Sequence, residues 1–194
     1  MTQLLRIGIV LGSTRPGRFA DRPANWLLPI AQQRTDATFE LVDLRDYPLP
    51  FFEEAKSPVR EASKHPVAVR LSQKIAELDG FIFVTPEYNH SITAVLKNAI
   101  DYLYPEWLRK PASFVAYGNA GGARAVEQLR LILVELQMAP LRSAVHIDRT
   151  SFVGMLLEGK SFDDYPHLAQ AANIMLEDLV WWTGTLRAGR TKST

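Results

Sequence analysis

Apolar residues in this chain follow two rhythms: short unbroken runs, and longer stretches in which they recur every three or four positions. The runs are LRIGIVL at Leu5–Leu11, FIFVT at 81–85 and SFVAY at 113–117. Each is bounded by Gly, Pro or polar turn residues, and each predicts a buried β-strand. FELVD at 39–43 and SAVHI at 143–147 are weaker strands of similar length and bring the number to five. Between them, Ile92, Val95, Leu96, Ala99, Ile100 and Leu103 form a stripe at helical spacing, from which Lys97, Asn98 and Asp101 fall away. Val67, Leu71, Ile75 and Leu78 repeat the stripe ahead of a turn at Asp79 and Gly80, and Val126, Leu129, Leu133 and Leu136 repeat it after Gly121 and Gly122. A less regular helix is expected over 19–34 and a last one over 164–186.

Strands that alternate with helices predict a parallel α/β sheet, because parallel neighbours need a crossover and a helix is the usual one. Five strands suit a three-layer arrangement of order 2-1-3-4-5 with helices on both faces; a small six-stranded Rossmann sheet fits the same pattern. In either, a ligand sits beyond the carboxyl ends of the strands, which directs attention to the loops after strands one, three and four. The stretch Tyr47, Pro48, Leu49, Pro50, Phe51, Phe52 is unusually apolar for a connection; it packs back on its own domain or is covered by a second subunit. No repeat or linker interrupts the chain, so 1–187 reads as a single domain and 188–194 as a frayed tail.

Composition narrows the chemistry. The chain has 194 residues, 47% of them hydrophobic, enough for a full core without covalent staples. With 22 Lys and Arg against 21 Asp and Glu, it has no net field to steer it onto nucleic acid. The absence of cysteine excludes a thiol nucleophile, a disulfide couple, an iron–sulfur cluster and a cysteine zinc site, so redox chemistry requires a cofactor. His65, His90, His146 and His167 are scattered without a close pair, which predicts no metal site. Trp181 and Trp182 fall on the last helix and suit packing or subunit contacts. The first apolar run is too short for a signal peptide or a membrane span, so a cytoplasmic location is expected.

Three loops carry the candidate chemistry. After the first strand come Gly12, Ser13, Thr14, Arg15, Pro16, Gly17 and Arg18, then a helix. Glycines allow close approach of main chain, the hydroxyls and guanidinium groups offer donors, and the helix adds free amides; this composition suits a phosphate, against the plainer reading of a surface turn with solvated arginines. The loop lacks the Gly-Lys-Ser/Thr ending of a P-loop and the glycine spacing of a dinucleotide fingerprint. After strand three run Pro86, Glu87, Tyr88, Asn89, His90 and Ser91. Tyr88 suits a flat ring, Asn89 and Ser91 suit its polar edge or a polyol chain, and Ser91 or Thr93 equally suits a helix cap. Glu87 and His90 have no nucleophile near them in sequence, and no side chain is assigned as catalytic. After strand four, Tyr117, Gly118, Asn119, Ala120, Gly121 and Gly122 form a flexible loop that either passes close to a planar ligand or is an ordinary strand-to-helix turn.

Taken together, these loops resemble those of the NADPH-dependent FMN reductase family of flavin, quinone, azo-dye and chromate reductases. The resemblance runs from Ile7 to about Val145. It rests on the Gly12-to-Arg18 loop and on the run from Pro86 to Ser91 followed by Leu96, Lys97, Asn98, Ala99, Ile100 and Asp101. It implies a flavodoxin-like fold and an NAD(P)H oxidoreductase that passes hydride from the nicotinamide of NADPH or NADH to FMN and electrons onward to a small-molecule acceptor. Ser13, Arg15 and Arg18 would hold the FMN phosphate. Pro86, Glu87, Tyr88, Asn89, His90 and Ser91 would line the ribityl chain and isoalloxazine, and Tyr117, Gly118, Gly121 and Gly122 would approach the ring's far edge. His90 stands where members often have Gly, and Arg18 where a serine is common. Arg109 and Lys110 are candidates for the 2′-phosphate of NADPH. The family also implies a homodimer or dimer of dimers, with the 47–52 stretch and the Ile92 helix at the contact. An electron carrier or a flavin-binding sensor is the rival reading; near-neutral charge counts against the carrier, which docks through a strongly acidic face.

Overall fold

A computed structural model describes residues 4–191. In chain order the elements are β1 (Leu5–Leu11), α1 (Asp21–Ala31), β2 (Ala37–Asp43), α2 (Pro66–Ala76), β3 (Gly80–Pro86), α3 (Ala94–Asp101), β4 (Pro111–Tyr117), α4 (Ala123–Glu135), β5 (Ala139–Pro140), β6 (Val145–Ile147), α5 (Arg149–Leu157) and α6 (Pro166–Thr191). All strands pair in parallel, in the order β2-β1-β3-β4-β5, with β6 also on β4.

Strand pleating sends alternate side chains to opposite layers. Ile7, Ile9 and Leu11 of β1, Ile82 and Val84 of β3, and Val115 and Tyr117 of β4 pack under α1, α5 and α6. Val10, Phe81, Phe83, Phe114 and Ala116 pack on the other face, under α2, α3 and α4. Both β3 and β4 are buried along their whole length, which accounts for their near-continuous apolar sequence.

Five strands were expected and six are present among the described residues. The fifth sheet position is broken in two: β5 pairs with Pro111 and Ala112, and β6 with Val115, Ala116 and Tyr117. The amides of Ala139 and Leu141 donate to the carbonyls of Lys110 and Ala112, Pro140 between them offers no N–H to the outer edge, and over 142–144 side chains take the place of the ladder. Arg130 Nε and Nη2 donate to the carbonyl of Leu141, Nη2 also to that of Arg142, and Ser113 Oγ donates to that of Ser143.

Helix α5 is absent from the sequence reading. Its RTSFVGMLL lacks a clear apolar stripe, but Asp148 caps it, its carboxylate accepting from the amides of Thr150 and Ser151. The tail expected at 188–194 is helical as far as Thr191, and Arg190 bonds Asp79 and the carbonyl of Arg109; residues 192–194 lie outside the described residues. Trp181 and Trp182 stand on the outer side of α6, 63% and 39% exposed, rather than in the core. No helix among the described residues is long and apolar enough to cross a membrane.

Candidate functional site

The loops after β1, β3 and β4 meet at one end of the sheet, with α5 following β6 at the same end. Three adjoining hollows lie among them, of about 620, 600 and 270 Å³, and Tyr88 lines all three.

The first loop is tied to its surroundings at both ends. Gly12 donates its amide to Val84 O (2.8 Å), and its carbonyl accepts from the Thr93 hydroxyl. The same hydroxyl accepts from Leu96 N (3.1 Å), so Thr93, not Ser91, caps α3. Ser13 is 1% exposed and its hydroxyl is left without a partner. A buried hydroxyl is costly unless something satisfies it, so this atom on the lining of the largest hollow marks a place for a polar ligand. The main-chain amides of Thr14, Arg15 and Gly17 likewise find no acceptor among the described residues, and Arg15 is exposed on the crest. Together they form an anion-receptive nest.

Arg18 behaves differently from expectation. Its side chain is 1% exposed and all five of its N–H donors are committed: Nε and Nη2 to Asp21, Nη1 and Nη2 to Asp43 (2.8 and 2.6 Å), and Nη1 to the carbonyl of Ser13. None is left for a phosphate. Asp43 also accepts from Arg45, and these guanidinium bonds outweigh burial and hold its carboxyl well below the usual range.

After β3 the chain makes a two-residue turn. Tyr88 N donates to Ser91 O (2.9 Å) and Ser91 N to Tyr88 O (3.0 Å), while Asn89 and His90 take φ of 48° and 75°. Positive φ at both central positions is the geometry of a type I′ turn, which favours Asn followed by Gly; His90 occupies the glycine position. Tyr88, Asn89 and His90 are exposed along the polar hollow, and the amides of Asn89 and His90 have no acceptor among the described residues.

Glu87 is buried in the wall of that hollow, beside Arg124. Its side chain is 3% exposed and accepts from Arg124 Nε (2.6 Å) and Arg124 N (3.1 Å), which lowers its carboxyl pKa despite burial. It fastens the second loop to the start of α4. Pro86 is the last residue of β3 and is buried. Tyr117 turns its ring into the layer below, 5.0 Å from Phe19 and 5.7 Å from Phe152; burial, with Tyr88 nearby, raises the pKa of its hydroxyl. In the third loop Gly122 (φ 69°) caps α4, and a Cβ there would lie 2.5 Å from that of Ala116 and 2.7 Å from Tyr117 N, so only glycine fits. Gly118 and Gly121 also have positive φ, and Gly118 runs against Glu87 along the smallest hollow.

The structure therefore gathers Ser13, Arg15, Arg18, Pro86, Glu87, Tyr88, Asn89, His90, Tyr117 and Gly118 on the walls of the three hollows, with Arg18, Glu87 and the Tyr117 ring also committed to internal partners, while Ser91, Gly121 and Gly122 shape the loops behind those walls. Arg109 and Lys110 precede β4, at the end of the sheet opposite these loops; Lys110 Nζ donates to the carbonyls of Ile75 (2.9 Å) and Ala76 (3.2 Å). The sequence reading missed Phe152 and Leu156 of α5, which wall the smallest hollow, and Asn98, which lines the largest. Asn98 Nδ2 donates to Pro50 O (2.7 Å) and its Oδ1 accepts from Phe52 N (2.9 Å), pinning the 47–52 stretch to α3 and leaving Phe51 80% exposed.

Residues 5–151 match the profile of a family described as NADPH-dependent FMN reductase. An NAD(P)H-dependent FMN reductase of Schizosaccharomyces pombe is 36% identical over 154 residues, 76% of each chain, and a quinone reductase of Escherichia coli K12 is 33% identical over 167 residues, 82% of each. Among solved structures, FerB of Paracoccus denitrificans, a flavoenzyme NAD(P)H:(acceptor) oxidoreductase, superposes with a TM-score of 0.70 at 23% identity, covering 94% of this chain and 98% of its own, which establishes the flavodoxin-like fold. The chain belongs to the NADPH-dependent FMN reductase family.

Proposed function

We propose that the three hollows form one FMN site in which the phosphate occupies the 12–18 loop and the isoalloxazine lies between the 86–91 and 117–122 loops, within a single domain spanning 1–187, and that NADPH or NADH is the electron donor. The observation that carries this reading is the unpartnered, buried Ser13 hydroxyl beside the free amides of Thr14, Arg15 and Gly17. Arg15 adds a charge at the crest, and hydrogen bonds to an ionised group contribute about 1.5–3 kcal/mol each.

When bound, FMN supplies the redox chemistry, accepting hydride at N5 from the nicotinamide and passing electrons to a quinone, flavin, azo-dye or metal-ion acceptor. The protein orients and encloses. The free amides of Asn89 and His90 suit the stabilisation of negative charge at a ring edge, Tyr88 offers a flat face, and the third-loop glycines let main chain approach closely. No side chain is needed as acid or base.

The reading extends to a cytoplasmic homodimer or dimer of dimers. Phe51 stands 80% exposed beside Leu49, Pro50 and Val95, an apolar wall running on from the phosphate loop that suits a second copy.

The test is to load the protein with FMN, remove free flavin and oxygen, and add NADPH or NADH in separate cells while following the oxidised-flavin absorption. Rapid bleaching is expected, and the faster nucleotide is the donor. Flavin that is retained but reduced by neither nucleotide would point instead to a carrier or sensor.

A further inference from the structure

Arg18 and Asp43 are far apart in sequence and take no direct part in the nest, yet they form its underside. Asp43 ends β2, outside the first loop altogether. Its two carboxylate oxygens accept from Nη1 and Nη2 of Arg18, and the same Nη1 reaches the carbonyl of Ser13. A planar guanidinium gripped on both sides has no rotational freedom, so the Ser13 peptide is held with its carbonyl turned inward. The Ser13 hydroxyl and the amides that follow are left on the ligand side.

We propose that Asp43 is a positioning residue for cofactor phosphate: acting through Arg18, it sets the orientation of the Ser13 peptide and so the shape of the phosphate nest. The proposal rests on the FMN reading above. It makes a prediction of sign. By charge alone, removing a carboxylate near a dianionic phosphate strengthens binding. Positioning requires the opposite, because Arg18, left with Asp21 alone on its Nε and Nη2 side, loses the carboxylate that aligns Nη1 with the Ser13 carbonyl. The effect must also be confined to phosphorylated flavin, since riboflavin shares the ring and ribityl chain but lacks the group that the nest holds.

The experiment is a fluorescence titration of flavin-free protein with FMN and, separately, riboflavin, for wild type, Asp43→Asn and Asp43→Glu. The expected result for Asp43→Asn is an FMN Kd raised about tenfold, the scale of one hydrogen bond to an ionised group, with riboflavin changed by less than about twofold. Once saturated with FMN, the variant should turn over at close to the wild-type kcat. Tighter FMN binding would overturn the proposal by showing that Arg18, once freed, serves as a phosphate ligand itself. Equal weakening for both flavins would overturn it as general damage to the cleft, and no change in either would also overturn it. Should Asp43→Asn fail to fold, Asp43→Glu decides: it keeps the charge but displaces the carboxylate by one methylene, and an FMN affinity equal to wild type would sink the idea. A wild type that binds riboflavin as tightly as FMN would instead remove the phosphate reading itself, before any substitution is compared.

Discussion

The carboxylate of Glu87, just past the end of β3, accepts hydrogen bonds from both Nε and the main-chain amide of Arg124, the second residue of α4. One buried anion thus joins two of the three site loops and caps a helix at once. Glu87→Ala should cost about 2 kcal/mol, the sum of a lost cap and a lost charge-assisted bond, and lower Tm by roughly 4–8 °C in a chain of this size. The native carboxyl pKa lies below its ordinary 4.5. The contribution is therefore complete above about that pH and lost as pH falls through the native value, so the wild-type-minus-mutant difference in urea melts should shrink in acid.

Arg15→Ala should raise the FMN Kd by about ten- to a hundredfold through loss of one charged contact to phosphate, leaving hydride transfer in the fully loaded protein nearly unchanged. Flavin fluorescence measures the first and anaerobic stopped flow the second. Unchanged affinity would contradict the place given to Arg15.

His90 occupies a left-handed position at φ 75°, which costs a residue bearing a Cβ on the order of 1 kcal/mol. His90→Gly should raise Tm by a few degrees, part of the relief being offset by the greater freedom of glycine in the unfolded chain. His90→Val, β-branched and so least tolerant of positive φ, should lower it. Differential scanning calorimetry distinguishes the two signs.

Burial lowers the Lys110 ammonium to about 8 from an ordinary 10.5, although two carbonyls receive its protons. Below about pH 8 both folded and unfolded chains carry the charge, and its burial is a constant penalty. Between about 8 and 10.5 the unfolded chain holds the extra proton, so this residue's contribution to stability rises with pH, at most by about 1.4 kcal/mol per pH unit. Lys110→Met lacks that rise. Relative to wild type, the variant should be at its most stable near pH 7 and lose ground steadily toward pH 10 in urea titrations.

Phe51→Asp should shift the protein toward monomer in light scattering while leaving its far-UV circular dichroism intact, because Phe51 is 80% exposed and Asn98 rather than Phe51 anchors the stretch.

Much of this was legible from residue order. The β1, β3 and β4 runs are continuous because both their faces are buried, and the Ile92 stripe marks α3 because one face alone is covered. The Gly12-to-Arg18 and Pro86-to-Ser91 loops could be placed because residue type speaks directly to φ and to donor chemistry. Whether a donor faces outward depends on partners distant in sequence. Arg15 and Arg18 look alike in the loop, and what makes one internal is Asp21, three residues on, together with Asp43, 25 residues beyond Arg18. Glu87 is claimed by Arg124 in the same way, 37 residues on. Helix α5 escaped because its buried positions are Ser151, Gly154 and Met155, two of them not hydrophobic. The split of the fifth strand follows Leu141, where Arg130 and Ser113 take over the carbonyls of 141–143, and such long-range partners are not visible as a period.

That split also bears on how the protein meets its own copies. An exposed sheet edge is ordinarily a template on which a foreign strand can add, and long flat edges invite aggregation. At this flank the edge consists of a two-residue piece and a three-residue piece, and side chains already occupy carbonyls between them. A neighbouring chain finds no unbroken row of main-chain groups to extend there, so crowding at this flank cannot propagate the sheet from molecule to molecule.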